Sequence, residues 1–141
     1  MKDKELSQNV SQHIKSMGAC GRFKGGSIER LVEQLFSPYG IEWVIKYGYP
    51  DAKTFAKFGD LSQYGIYINA GDITLSECER ICLIGKTRAT LTFEETKGYK
   101  VILLHGADAT INASGFSVVR IEKDEISTIK INKSGFAKVL Q

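Results

Sequence analysis

This 141-residue chain has no long apolar run, no block of like charge and few residues of the kinds that carry chemistry. No apolar stretch approaches the roughly 18 residues needed to cross a bilayer. The first fifteen residues, Met1 to Lys15, read as charged and polar rather than as a signal segment. Cysteine is scarce and odd in number: Cys20, Cys78 and Cys82. Together these features predict free thiols in a reducing, cytoplasmic setting, with no membrane contact. The net charge is only +3 and is spread evenly along the chain, so the electrostatic footprint of a duplex nucleic-acid binder is missing. His13 and His105 are the only histidines. No Ser-His-Asp order, nucleophile elbow or paired-carboxylate pattern accompanies them.

What is present is a folded composition, with 43% apolar and 25% charged residues, and a repeat. Gly98-Tyr99-Lys100-Val101-Ile102, Gly115-Phe116-Ser117-Val118-Val119 and Gly135-Phe136-Ala137-Lys138-Val139 share a glycine, an aromatic and an apolar run. A copy without the glycine starts at Cys78. Between these copies lie Ala89-Thr90-Leu91-Thr92-Phe93, Ala109-Thr110-Ile111-Asn112-Ala113 and Ser127-Thr128-Ile129-Lys130-Ile131. A period near 20 residues with strand-like pieces predicts a coiled β-solenoid.

The N-terminal part reads differently. Residues 1–26 form a polar arm followed by a glycine-rich loop. Within 27–59, Ser27 is the expected N-cap of a helix to about Phe36, with Ile28, Leu31, Val32, Leu35 and Phe36 on one stripe. Ser37-Pro38-Tyr39-Gly40 is expected to stop it. A second helix is expected over Ile41–Tyr47, with Trp43 flanking its apolar face. A third is expected over Ala52–Phe58, capped by Asp51 and ended by Gly59. The predicted class is α+β: a small helical head, then a short parallel β-helix of about three to four coils over residues 60–141.

Aligning the copies on their glycines puts Cys82, Ile102, Val119 and Val139 in one column, and Ile84, Leu104 and Ile121 in another, both facing inward. The opposite face then carries Ile81, Leu83, Val101, Leu103, Val118 and Leu140. A strand apolar on both faces must be covered on both. Each such residue left in water forgoes roughly 1.5–3 kcal/mol, so this set is the expected interface of a homo-oligomer, a dimer or trimer. The second strand reads as one-sided, with threonines outward.

Several patterns have weaker chemical readings. Cys78 and Cys82 lack two further ligands of suitable spacing, so no metal site is expected and Cys82 reads as core filling. The His105 corner, with Asp108, Arg88 and Lys86, is the alternative place for an enzyme site. Stacked solenoid corners are polar as solvated loops in any case. Arg22 and Lys24 sit in the glycine-rich loop before a helix N-terminus, where an anion is favoured, although the spacing is not that of a P-loop. Tyr39, Trp43, Tyr47, Tyr49, Tyr64 and Tyr67 crowd the junction between the two parts. They serve either as apolar cement or as a stacking surface for a nucleobase. The candidate ligand set is therefore Arg22, Lys24, Trp43, Tyr67, Arg88 and His105, with no catalytic residue and no cofactor.

Gly40-Ile41-Glu42-Trp43, Tyr49-Pro50, Phe55 and Phe58, then Gly65-Ile66-Tyr67-Ile68-Asn69 and the β repeats, resemble small proteins of phages, prophages and conjugative elements of Bacteroides-type bacteria. The resemblance spans about residues 18–141 and assigns no catalytic residue. It implies a cytoplasmic, non-enzymatic, oligomeric binding protein. Such a protein would act as a counter-defence factor that sequesters a nucleotide-like, anionic signal or blocks a host protein. The alternative is a trimerising β module of a phage particle.

Overall fold

The computed structural model describes residues 28–141 and, before them, Glu5, Gln8, Asn9, Val10, Gln12, His13 and Ser16. The Ser27 cap, Cys20 and the loop bearing Arg22 and Lys24 lie outside the described residues. The chain divides into two units, Met1–Gly59 and Asp60–Gln141.

In the first unit, helix α1 (Ile28–Leu35) buries Leu31, Val32 and Leu35 and exposes Glu29, Arg30 and Glu33. That is the one-sided burial its three- and four-residue spacing predicts. Helix α2 spans Pro38–Tyr47 and so starts three residues before the expected Ile41. The segment read as a stop is a start as well. The Ser37 hydroxyl accepts from Gly40 N at 3.1 Å, and Pro38, which has no N–H to leave unpaired, occupies the first turn. Gly40 allows the two helices to meet there: a Cβ at that position would come within 2.6 Å of the Leu35 carbonyl carbon. Trp43, expected to flank the apolar face, is buried. Gly48 closes the helix in the left-handed conformation, and its N–H donates to Val44 O at 2.8 Å. Helix α3 (Ala52–Ala56) is shorter than expected and is capped by Asp51, whose Oδ1 accepts from Thr54 N at 2.8 Å. Phe36, Phe55 and Phe58 form an aromatic run, with ring centroids 5.9 and 5.6 Å apart.

The second unit is a parallel β-solenoid of about four turns. After a 3₁₀ turn at Ser62–Tyr64, its strands are β1 (Ile66–Ile68), β2 (Gly71–Ser76), β3 (Arg80–Ile84), β4 (Thr87–Phe93) and β5 (Gly98–Leu104). They continue as β6 (Asp108–Ala113), β7 (Val118–Lys123), β8 (Thr128–Lys133) and β9 (Lys138–Leu140). Odd strands form one sheet, in the order β1-β3-β5-β7-β9, and even strands form the other, β2-β4-β6-β8. Tyr64–Ile68 and Asp72–Leu75, a pair whose sequence suits either a hairpin or a first coil, belong to the first coil. The first coil advances 16 residues, with Ile66 beside Cys82 and Gly71 beside Thr87. Every later coil advances 20, as in Lys100 beside Arg120 and Ala109 beside Ile129.

This register corrects the columns of the odd sheet. Gly98 lies beside Val118 and not beside Gly115, a slip of three residues. Strand side chains alternate faces, so an odd slip inverts them. Ile81, Leu83, Val101 and Leu103 point into the solenoid and join the core with Tyr99, Val119, Ile121, Leu91 and Ile111. They are not an outward interface. Cys82, Ile84, Ile102 and Leu104 lie on the opposite face and are buried too. The expectation that β3 and β5 are apolar on both faces therefore stands, with the two faces exchanged. Of the six residues expected at a subunit interface, only Val118 and Leu140 are exposed.

Candidate binding corner

The even sheet begins each coil after a tight corner, and three of these corners coincide along the stack. Gly71, Gly85 and Gly106 all adopt left-handed backbone there, at φ 73°, 68° and 88°. L-residues rarely take up this conformation, so glycine is favoured at these three positions, each of which carries no side chain. The result is an open groove of about 370 Å³, lined by Gly71, Asp72, Gly85, Lys86, Thr87, Arg88, Gly106 and Asp108.

Its walls are held by side chain to backbone bonds between coils. Asn69 Oδ1 accepts from Lys86 N at 2.8 Å, and Thr87 Oγ1 accepts from Ala70 N at 3.0 Å while lying 3.0 Å from Ile84 O. These bonds satisfy backbone groups that the turns would otherwise leave unpaired. Asp72, Arg88 and Asp108 are neighbours across the rungs, so charge alternates along this rim. Arg88 Nε lies 3.4 Å from Asp108 Oδ2, an exposed pair worth little to stability.

The residues read as candidates from sequence are only partly brought together. Arg88 and Lys86 line the groove with Asp108. His105 precedes Gly106 at the same corner, with left-handed backbone of φ 60°. Its N–H donates to Asp124 Oδ2 at 2.6 Å. Tyr67 is half-buried on β1 and packs on the solenoid core. Trp43 is buried in α2 and stacks with Tyr47 at 4.9 Å. These two aromatics do not line the groove.

Two carboxylates not singled out from the sequence act as corner clamps. Asp124 accepts from His105 N, from Ser127 N at 3.1 Å and from Ser127 Oγ at 2.5 Å. Ser127 Oγ in turn accepts from Gly106 N at 3.2 Å, which ties two successive coils together. Glu77, with left-handed backbone of φ 56°, accepts from Glu94 N at 2.7 Å and from the Tyr99 hydroxyl. The Tyr99 bond, with the surrounding donors, holds the Glu77 carboxyl below its ordinary range. Burial, and then Glu77 itself, push the Tyr99 hydroxyl up to about 12. The sequence signal for both clamps was their place, an acid inside a short turn between strand-like segments.

Among the described residues, no cluster of His, Cys, Asp and Glu is arranged to hold a metal ion. Burial pushes the Cys82 thiol well up. No described helix is long and apolar enough to cross a membrane. No family model, curated protein or solved structure matches the chain.

Proposed function

We propose that this protein is a non-catalytic binding module whose glycine-floored corner takes a small anionic, nucleotide-like ligand. The observation that carries the reading is the groove itself. Three successive coils each place a glycine at one corner, and Lys86 and Arg88 stand at its rim. Backbone without Cβ atoms lets a ligand approach closely, and Lys86 and Arg88 offer it donors between the rim acids Asp72 and Asp108, so an anion must draw Arg88 from Asp108. The non-catalytic part of the reading is supported by what the acids at this corner already do: Asp108 is paired with Arg88, and Asp124 holds the turn of the next coil. The resemblance to small proteins of phages and conjugative elements favours sequestration of a signal over its turnover.

The test is calorimetry with a panel of mononucleotides, cyclic nucleotides and inorganic phosphate. A saturable ligand whose affinity drops at least tenfold in Arg88→Ala supports the reading. Silence across the panel, or binding indifferent to Arg88→Ala and Lys86→Ala, refutes it. Self-association is the second reading, and Val118 and Leu140 are the exposed residues that favour it.

A further inference from the structure

The last two coils carry a surface unlike the rest of the solenoid. Phe116 and Phe136 stack at 4.9 Å with their rings 5° from parallel, yet they are 59% and 71% exposed. Each opens an outward row. Phe116, Val118 and Arg120 alternate with buried Ser117, Val119 and Ile121, and the next coil repeats the outward positions as Phe136, Lys138 and Leu140. These six positions contain two cations and no carboxylate, and Glu122, the next outward position after Arg120, is paired with Lys100. Lys133 stands just before the turn that presents Phe136. Among the described residues, Arg120, Lys133 and Lys138 have no ion-pair partner. Lys133 also lines a second groove, of about 220 Å³, with Thr92, Asn112, Ser114, Asn132 and Ser134. Asn132 Nδ2 donates to Asn112 Oδ1 at 3.0 Å there. Glu94, the acid along this groove, sits two coils away from Lys133.

We infer that this surface binds single-stranded nucleic acid. The exposed face of the Phe116–Phe136 stack receives an unpaired base. Arg120, Lys133 and Lys138, set around it, meet the phosphates, and the amide and hydroxyl groups of the adjoining groove hydrogen-bond to base or sugar edges. Aromatic faces flanked by cations bind single strands with little sequence preference, because every base offers a π-face. The even charge of the whole chain is consistent with this and not with a duplex grip, since only three local cations are required. The surface is separate from the glycine corner, so either proposal can fail alone.

The experiment is fluorescence anisotropy with labelled oligo-dT and oligo-rU of about 12 nucleotides, a duplex of the same length, and free UMP. The strands are expected to bind more tightly than the duplex or UMP. With three phosphate contacts on a single strand, affinity should fall on the order of 20-fold between about 50 and 200 mM salt. Phe136→Ala should weaken binding by about tenfold, within the range for loss of one stacked base. Lys138→Gln should reduce the salt slope by about 0.7. All three substituted positions, including Phe116 in a double Phe116→Ala/Phe136→Ala variant, are exposed, so an unchanged far-UV spectrum is expected and serves as the folding control. The inference is overturned by absence of strand binding at about 100 μM protein, a concentration far above that needed for non-specific contact at low salt. It is also overturned by equal affinity in the double variant. Finally, it is overturned if light scattering shows a dimer that this variant dissociates, because the surface then belongs to a second copy of the chain.

Discussion

Truncating Leu103 and Leu140 to alanine separates the inverted face assignment from the observed one. A glycine-anchored alignment puts both side chains on the same outward face and expects similar costs. In the structure Leu103 is fully buried in the solenoid core, beside Leu83 in the neighbouring strand, whereas Leu140 is 46% exposed on β9. Leu103→Ala removes buried methyl groups and leaves a cavity in a core already bounded by packed strands, so it should cost about 2–5 kcal/mol. Leu140→Ala should cost about 1 kcal/mol or less, because roughly half of the transfer energy was never gained and the edge can relax. In a unit of about 80 residues, each kcal/mol shifts Tm by about 4–8 °C, so Leu103→Ala should lower it by at least about 8 °C. Urea unfolding followed by far-UV circular dichroism reads the strands directly, whereas Trp43, the one tryptophan, belongs to the helical unit. Equal losses in the two variants, or a larger loss for Leu140→Ala, would show that the coil register is wrong.

Gly40→Ala should destabilise the helical unit by about 1–3 kcal/mol, because the added methyl overlaps the backbone at the end of α1 and outweighs alanine's better helix propensity. Trp43 fluorescence during denaturation measures it, and a stabilised variant would refute the close approach. The Glu77–Tyr99 pair should make stability fall at both pH extremes. Glu77 is held low in the folded protein, so its contribution is full above its unfolded pKa and fades as pH falls through the lower folded value. Tyr99 is raised from 10.0 to about 12, so its contribution is full below pH 10 and fades as pH rises toward 12. Urea midpoints against pH should show a shallower acid limb in Glu77→Gln and a shallower alkaline limb in Tyr99→Phe, because Asp60 on the acid side and Tyr49 and Lys97 on the alkaline side are shifted as well; profiles parallel to the parent would exclude the linkage.

The fold class was legible because a parallel solenoid writes its period into the sequence twice, once in each sheet. The face assignments were harder to read because the most conspicuous markers are not equivalent. Gly98 lies in the strand itself, whereas Gly115 and Gly135 take left-handed backbone at φ 63° and 61° in the turn before it. The same residue type answers two different backbone demands, and aligning them shifts one strand by three. In the even sheet the corresponding slip, Ala109 with Ser127 instead of Ile129, is two residues, and an even slip keeps each side chain on its own face. The inward apolar, outward polar reading of that sheet therefore survives a wrong register. One constraint was available from the sequence alone. Both sheets belong to the same coils, so an advance of 17 residues in one and 18 in the other, against 20 for the coils on either side, implies corners that change length from coil to coil. Gly115 and Gly135, 20 apart and both preceded by serine and followed by phenylalanine, fix the constant advance.

The same reasoning explains which site residues the sequence made visible. A histidine, an acid and two cations near one turn look like chemistry when burial and bonding are unknown. In the structure, the hydrogen bonds of Asp124 and Glu77 fasten one coil to the next, as polar groups at a solenoid corner must whenever the turn leaves backbone N–H groups unpaired. Phe116 and Phe136 had the opposite fate. In the sequence they stand out only as the aromatic that marks each copy of the repeat, with no role assigned to them. The left-handed glycine before each one places the aromatic in the turn, where its outward projection leaves it without a packing role inside the coil. A bulky apolar side chain kept in water on two successive coils, flanked by unpaired cations, forgoes burial free energy that core packing would supply. A partner that covers both rings recovers it, so binding at this corner should depend on the pair of phenylalanines together more than on either alone.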